Sequence, residues 1–215
     1  FSPDEKNIAF IKSDNNIYVF NIQTKRQKKL TTRGSETISN GHFGWLYEEE
    51  LTGFDGYRWS PDSENIAYWE EDESKVPEYS LINDSGLYPK VTKIRYPKVG
   101  QTNPSLRIGV IRVKGAGKKW ISGAFTNDDY LPWMEWVNND RLGFTKMGRR
   151  QKKWDLFISN KANGSSHKIL SESDPNGWVD NHGEIYFLKD GKVLWISENS
   201  KFKHIWISKH SGSKK

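Results

Sequence analysis

The 215-residue sequence contains no cysteine and only two methionines. Without thiols there is no disulfide framework, zinc ribbon or cysteine nucleophile. No apolar run approaches the roughly 18 residues that a membrane helix needs. Sustained 3.6-residue periodicity is also missing, which leaves strands and loops with at most one helical turn, around Glu48 to Thr52. Neither an HExxH pair nor a GxSxG nucleophile elbow occurs. His42, His167, His182, His204 and His210 sit in no metal motif and read as surface or strand residues, so no catalytic base, metal or other cofactor is expected. The opening residues, FSPDEKNIAF, have no basic segment followed by an apolar run, and read as the interior of a longer gene product.

Aromatic residues are abundant instead. Ten Trp, nine Tyr and ten Phe accompany a hydrophobic fraction of only 34%, a composition that suits many short strands anchored by large side chains. A chain of this length buries about 70% of its unfolded surface, enough for one compact unit. The net charge is +6. Its two basic clusters, Lys25, Arg26, Lys28, Lys29 and Arg149, Arg150, Lys152, Lys153, read as solvated turns, and with no nucleic-acid module beside them nucleic acid is not an expected partner.

A repeat organises the chain. FSPDEKNIAFI begins at Phe1, WSPDSENIAYW at Trp59, WVNNDRLGFTK at Trp136 and WVDNHGEIYFL at Trp178. Each is an aromatic residue, a polar turn and a short apolar strand. In the first two copies Ser-Pro-Asp builds the turn, because Pro presets φ and Asp can bond the backbone two residues on. NNIYVFNIQTKRQKKLT, KKWDLFISNKANGSSHKILS and FKHIWISKHSGSKK then supply further strands in three of the four units. The interval from Trp136 to Trp178 is close to the ~40–45 residues of one four-stranded propeller blade, and the longer intervals imply insertions. The fold class is therefore all-β, an open β-propeller arc of about four blades over residues 1–215. A β-sandwich would share the strands but would not need the repeated unit. The open ring predicts exposed strand edges and a fragment that associates or is only marginally stable alone. Trp45, Trp59, Trp136 and Trp178 are expected to pack between blades.

The insertions carry a family resemblance. GWLYEEEL at Gly44–Leu51, the segment from Trp59 to Ser80 and YPKVGQTNP at Tyr96–Pro104 resemble, in order, the propeller of the dipeptidyl peptidase IV family. So do DDYLPWMEWVNNDRL at Asp128–Leu142, GWVD at Gly177–Asp180 and SENSKFKHIWI at Ser197–Ile207. The resemblance implies about half of an eight-bladed propeller, whose parent adds a C-terminal α/β-hydrolase domain with the serine triad. It further implies a periplasmic, secreted or membrane-attached homodimer that releases X-Pro or X-Ala dipeptides, while this stretch alone hydrolyses nothing. The family's substrate-binding arginine belongs to a segment before Phe1, and no arginine follows GWVD. Richness in Lys and Asn suggests a bacterial source.

Glu48, Glu49 and Glu50 are the residues with a chemical case. In a helical turn neighbours differ by about 100°, so Glu49 and Glu50 can face one cavity while Glu48 points elsewhere. Converging carboxylates repel unless a cation arrives. A peptide's α-amino group is such a cation, with N–H donors for both. The resemblance assigns amine binding to the second and third Glu of YEEE, here Glu49 and Glu50; a solvated acidic loop is the plain alternative. Peptide N-termini and the parent's own hydrolase domain are thus the expected partners. The denser run Glu70, Glu71, Asp72, Glu73 reads as a solvated hairpin tip rather than a metal site. Two other roles stay open for the whole: a scaffold in a catalytically inactive relative, or a sugar-binding propeller.

Overall fold

The computed structural model describes residues 1–51, 53–123, 126, 128–179 and 184–209. Its first sheet contains β1 (Asn7–Ile11), β2 (Ile17–Asn21) and β3 (Gln27–Lys29). The second is built on β4 (Ile38–Asn40), β5 (Tyr57–Trp59), β6 (Asn65–Asp72), β9 (Ser105–Arg112) and β10 (Lys118–Trp120). Between these lie a helix, α1 (Trp45–Glu50), and a separate hairpin of β7 (Glu78–Asn83) and β8 (Lys90–Arg95). The third sheet comprises β11 (Asp129–Tyr130), β12 (Met134–Trp136), β13 (Arg141–Gly148), β14 (Lys153–Asn160) and β15 (Ser166–Ser173). β16 (Ile185–Phe187), β17 (Lys192–Ser197) and β18 (His204–Lys209) form the fourth. All pairings are antiparallel, and each of the four numbered sheets forms one blade, with the β7–β8 hairpin apart from them.

The repeated turn joins each inner strand to the next. Ser2 and Ser60 donate backbone N–H to Asn7 O and Asn65 O, both at 2.8 Å, and each serine Oγ bonds the Asp two residues on. Asp4 and Asp62 in turn accept from the N–H two residues further, as the Ser-Pro-Asp reading requires. Glu5 and Ser63 take left-handed φ near +60° there, a conformation natural to glycine. Gly191 occupies the matching place in the fourth sheet, where Leu188 N–H bonds Lys192 O. The fourth unit therefore begins at Phe187, not at Trp178. Trp178 precedes the blade's inner strand and is 75% exposed instead of packing between blades. Trp136 does pack, with its Nε1 donating to Arg58 O of the second sheet.

The sheets adhere face to face. Ile66 and Tyr68 of β6 join Ala9, Ile17 and Val19 in one apolar cluster between the first and second blades. Ala67 and Trp69, on the opposite face of β6, enter a larger cluster that continues through Leu131, Phe144 and Leu156 to Trp195 of the fourth blade. Burying each such side chain contributes on the order of 2 kcal/mol. At the end of the arc, β18 leaves Ile205, Trp206 and Ile207 exposed.

Antiparallel order sends every long connection to one face of the arc. Contacts between the connections agree with this: Trp45 packs at a tilt against Tyr96 (4.4 Å between ring centroids), Arg149 donates to Gln101 O (2.6 Å) and Val179 N–H to Gln151 O (2.7 Å). The tight aromatic turns close the other face.

Candidate functional site

The inner edge of β6 is covered by two short strands in succession. β5 pairs with Ile66–Tyr68 and β4 with Glu70–Asp72, and between them the chain leaves the sheet to form α1. Two glycines make this detour possible. Gly56 N–H donates to Gly41 O at 3.0 Å, and a Cβ on Gly56 would lie 2.2 Å from the Gly41 carbonyl carbon. Trp69 spans the gap, accepting from Gly41 N–H and donating to Gly56 O.

Six residues do not make a stable helix by themselves. Tertiary contacts hold α1, through Leu46 and Tyr47, which are buried. The Tyr47 ring stacks on Phe43 at 5.1 Å, Phe43 in turn meets Trp69, and Tyr130 of the third blade contacts Tyr47 edge-on at 6.2 Å. Leu131 N–H donates to the Tyr47 hydroxyl (3.1 Å), while Trp69 Nε1 donates to Leu131 O (3.0 Å). The helix is thus fastened to both the second and third blades. Its C-terminal half carries Glu48, Glu49 and Glu50, all exposed, with no basic residue in the last turn. Acidic side chains at that end are disfavoured by the helix dipole, so local helix stability does not account for them.

The helical turn expected from sequence is present as α1; Thr52, at the end of that expectation, lies outside the described residues. Glu50 lines a cavity of about 600 Å³ together with Trp45, Leu46, Tyr96, Lys98 and Tyr130. Glu49 is its exposed neighbour and does not line that cavity. Glu48 is directed to the other end of α1, where its charge raises the pKa of Glu73, Glu71 and His42. Among the described residues, neither Glu49 nor Glu50 has an ion-pair partner.

The run from Glu70 to Glu73 is not a solvated hairpin tip. Glu70 (3% exposed) and Glu71 (0%) lie in β6, paired with Arg107 and Leu106 of β9, and only at Glu73 does the chain leave the sheet. Glu70 Oε1 accepts from Arg107 Nε (2.9 Å) and Nη2 (2.6 Å), with Arg33 Nε at 3.5 Å. Glu71 Oε2 accepts from Gly44 N–H, the residue that precedes α1, at 2.5 Å. A Cβ on Gly44 would lie 2.2 Å from Glu73 Oε1, so a larger residue there would push this second carboxyl aside. Burial, then the neighbouring Glu73, push the Glu71 carboxyl up to about 8. Burial also raises Glu73, against the opposing pull of Arg95. Sequence reasoning misses Gly44, Glu71 and Glu73 as site residues. Their signal is the period-2 pattern of β6, in which Glu71 follows Ala67 and Trp69 on one face and Glu70 follows Ile66 and Tyr68 on the other.

Known proteins share this fold. The family described as the dipeptidyl peptidase IV (DPP IV) N-terminal region matches residues 1–215. The chain belongs to that family. Dipeptidyl peptidase 4 of Trichophyton tonsurans is 30% identical over 230 residues, aligning 100% of this chain with 29% of the relative. For dipeptidyl peptidase 4 of Felis catus the identity is 29%, with 95% of this chain and 30% of the relative aligned. The crystal structure of Porphyromonas gingivalis dipeptidyl peptidase 4 superposes with a TM-score of 0.91 at 28% identity, covering 99% of this chain and 31% of that one. The four-blade arc is thus a partial DPP IV propeller. It spans about three-tenths of the length of these relatives.

Proposed function

We propose that this chain is the substrate-gating, amine-binding part of a serine dipeptidyl peptidase, with Glu49 and Glu50 as the anchor for the peptide's free N-terminus. The observation that carries the reading is the mounting of α1. A rigid aromatic base holds two exposed, unpaired carboxylates on the face where all the long connections gather, and one of them lines a cavity. A peptide α-ammonium group supplies the missing cation, and its N–H donors are shared between the carboxylates, each charge-assisted bond contributing roughly 1.5–3 kcal/mol when water is excluded.

Function follows from distance. An amine held at a fixed separation from a serine nucleophile in the parent's C-terminal hydrolase domain leaves room for two residues before the scissile bond, so X-Pro or X-Ala dipeptides are released. An internal peptide segment brings no cation and leaves both carboxylates unpaired, which disfavours its binding. The parent acts outside the cytoplasm, periplasmic, secreted or membrane-attached, and pairs with a second copy.

The test is dipeptide release from an Ala-Pro chromogenic substrate by the full-length parent, wild type beside Glu49→Gln and Glu50→Gln. Loss of roughly 100-fold in kcat/KM in each variant is expected. Unchanged kinetics would reduce the glutamates to a solvated loop, and an inactive wild-type parent would favour the scaffold role.

A further inference from the structure

Amine capture leaves one buried acidic side chain near α1 unused. Glu71 is fully buried on the β6 face that packs against the third blade, and its two oxygens differ. Oε2 accepts the Gly44 N–H; Oε1 is buried and, among the described residues, has no hydrogen-bond partner. The titratable groups facing it are Glu73 at the end of its own strand, with Glu48 and Tyr47 from α1. Tyr130 and Asp129 of the third blade stand behind Tyr47. A cation that acts on this cluster, Arg95 of β8, serves Glu73. β4 contributes only Ile38, Ser39 and Asn40. An ionised carboxylate in such a place needs a cation or a donor for each oxygen, and Glu71 has one donor and two acidic neighbours. A neutral carboxyl is the form that this geometry tolerates.

We propose that Glu71 is a positioning residue for the Glu49–Glu50 pair, its buried, protonated carboxyl holding Gly44 and thereby the start of α1 in place. This rests on the amine-capture reading above. α1 is six residues long and has no side-chain cap, so Gly44 at its start and the buried Leu46 and Tyr47 together set where its last two glutamates lie. When Glu71 ionises, the new charge opposes Glu73 and Glu48, and the strain is relieved by moving the start of the helix or admitting water beneath it. Either response displaces the amine anchor, and displacements of about 1 Å are enough to weaken a bidentate geometry. Burial places that ionisation near pH 8. Substrate affinity therefore falls at alkaline pH by more than the loss of the substrate's own amine charge.

The experiment follows KM and kcat for the Ala-Pro substrate with the full-length parent from about pH 6 to about pH 9. Wild type is compared with Glu71→Gln, Glu71→Met and Glu49→Gln. The Glu71→Gln side chain keeps an oxygen for Gly44 and never ionises, so the alkaline rise in KM should be about threefold smaller than in wild type. Met removes the acceptor, and KM should be raised roughly tenfold at every pH, with kcat much less affected. Superimposable KM profiles for wild type and Glu71→Gln would overturn the proposal, whether or not the Met variant folds. A folded Met variant with wild-type KM would do the same. If Glu49→Gln leaves KM unchanged, the amine-capture reading itself fails; if Glu49→Gln is impaired while the Glu71→Gln profile matches wild type, only the positioning role of Glu71 falls.

Discussion

Glu70 and Glu71 are adjacent in one strand, both buried, and in opposite chemical situations. Glu70 faces the first blade and meets the guanidinium of Arg107, which also lies over the Trp120 ring at 3.6 Å. Glu71 faces the third blade and meets a single backbone N–H with two other carboxylates nearby. A β-strand sends successive side chains to opposite faces, so a sequence run of like charge is divided between two interfaces. The first interface neutralises its acid and acts as a structural clamp. The second leaves its acid without a cation, beneath the helix that presents Glu49 and Glu50. Paired charge marks the scaffold here and unpaired charge marks the site.

The largest way to break this contrast is to remove the cation from the paired side. Arg107→Met leaves Glu70 buried with only the more distant Arg33, and should destabilise the fold by about 3 kcal/mol in urea denaturation. A cost near zero would mean that the clamp is a solvated surface pair. Gly56→Ala strikes the other side. Its methyl would collide with the Gly41 backbone where the detour to α1 closes, costing about 2 kcal/mol and disturbing α1 before the blades. Hydrogen exchange should show the Glu48 and Leu51 amides, which donate to Gly44 O and Tyr47 O, losing protection while those of Phe144 and Leu156 keep it; uniform loss would show that α1 is not a separable unit.

The same substitution at the two neighbours gives the finest comparison. For Glu71 the folded value, about 8, lies above its ordinary 4.5. Between those values the folded state binds one more proton than the unfolded state, so its stability is full below about pH 4.5 and declines as pH rises towards 8, by about 1.4 kcal/mol per pH unit. Glu71→Gln should remove that decline and be the more stable form in alkaline solution, whereas Glu70→Gln loses charge-assisted bonds and should be destabilising across neutral and alkaline pH. Parallel stability curves for the two variants would erase the distinction.

Much of the fold is legible in local residues. Ser-Pro-Asp at residues 2–4 and 60–62 specifies its turn through contacts within a few residues, and the apolar strands read after it are present as β1 and β6. The fourth unit starts later than its Trp178 copy suggests: the turn after Phe187 runs from Leu188 to Lys192, with Gly191 supplying the left-handed residue, and residues 180–183 of the Trp178 copy lie outside the described residues. Non-local geometry is harder to read. Nothing near Gly41 announces that Gly56 will touch it, and charge density taken without the alternation of β6 makes the acidic run look solvated. The glutamate turn itself stands out through its neighbours Trp45 and Tyr47, whose rings and partners mount it.

The most direct test of the account is the affinity of the full-length parent for a dipeptide with a free amine relative to its N-acetyl counterpart, measured by calorimetry at about pH 7, where the amine is charged. Capture by Glu49 and Glu50 predicts a preference of roughly 100-fold or more for the free amine, collapsing towards unity in the Glu49→Gln, Glu50→Gln double variant. Equal affinity for the two ligands in wild type would contradict it.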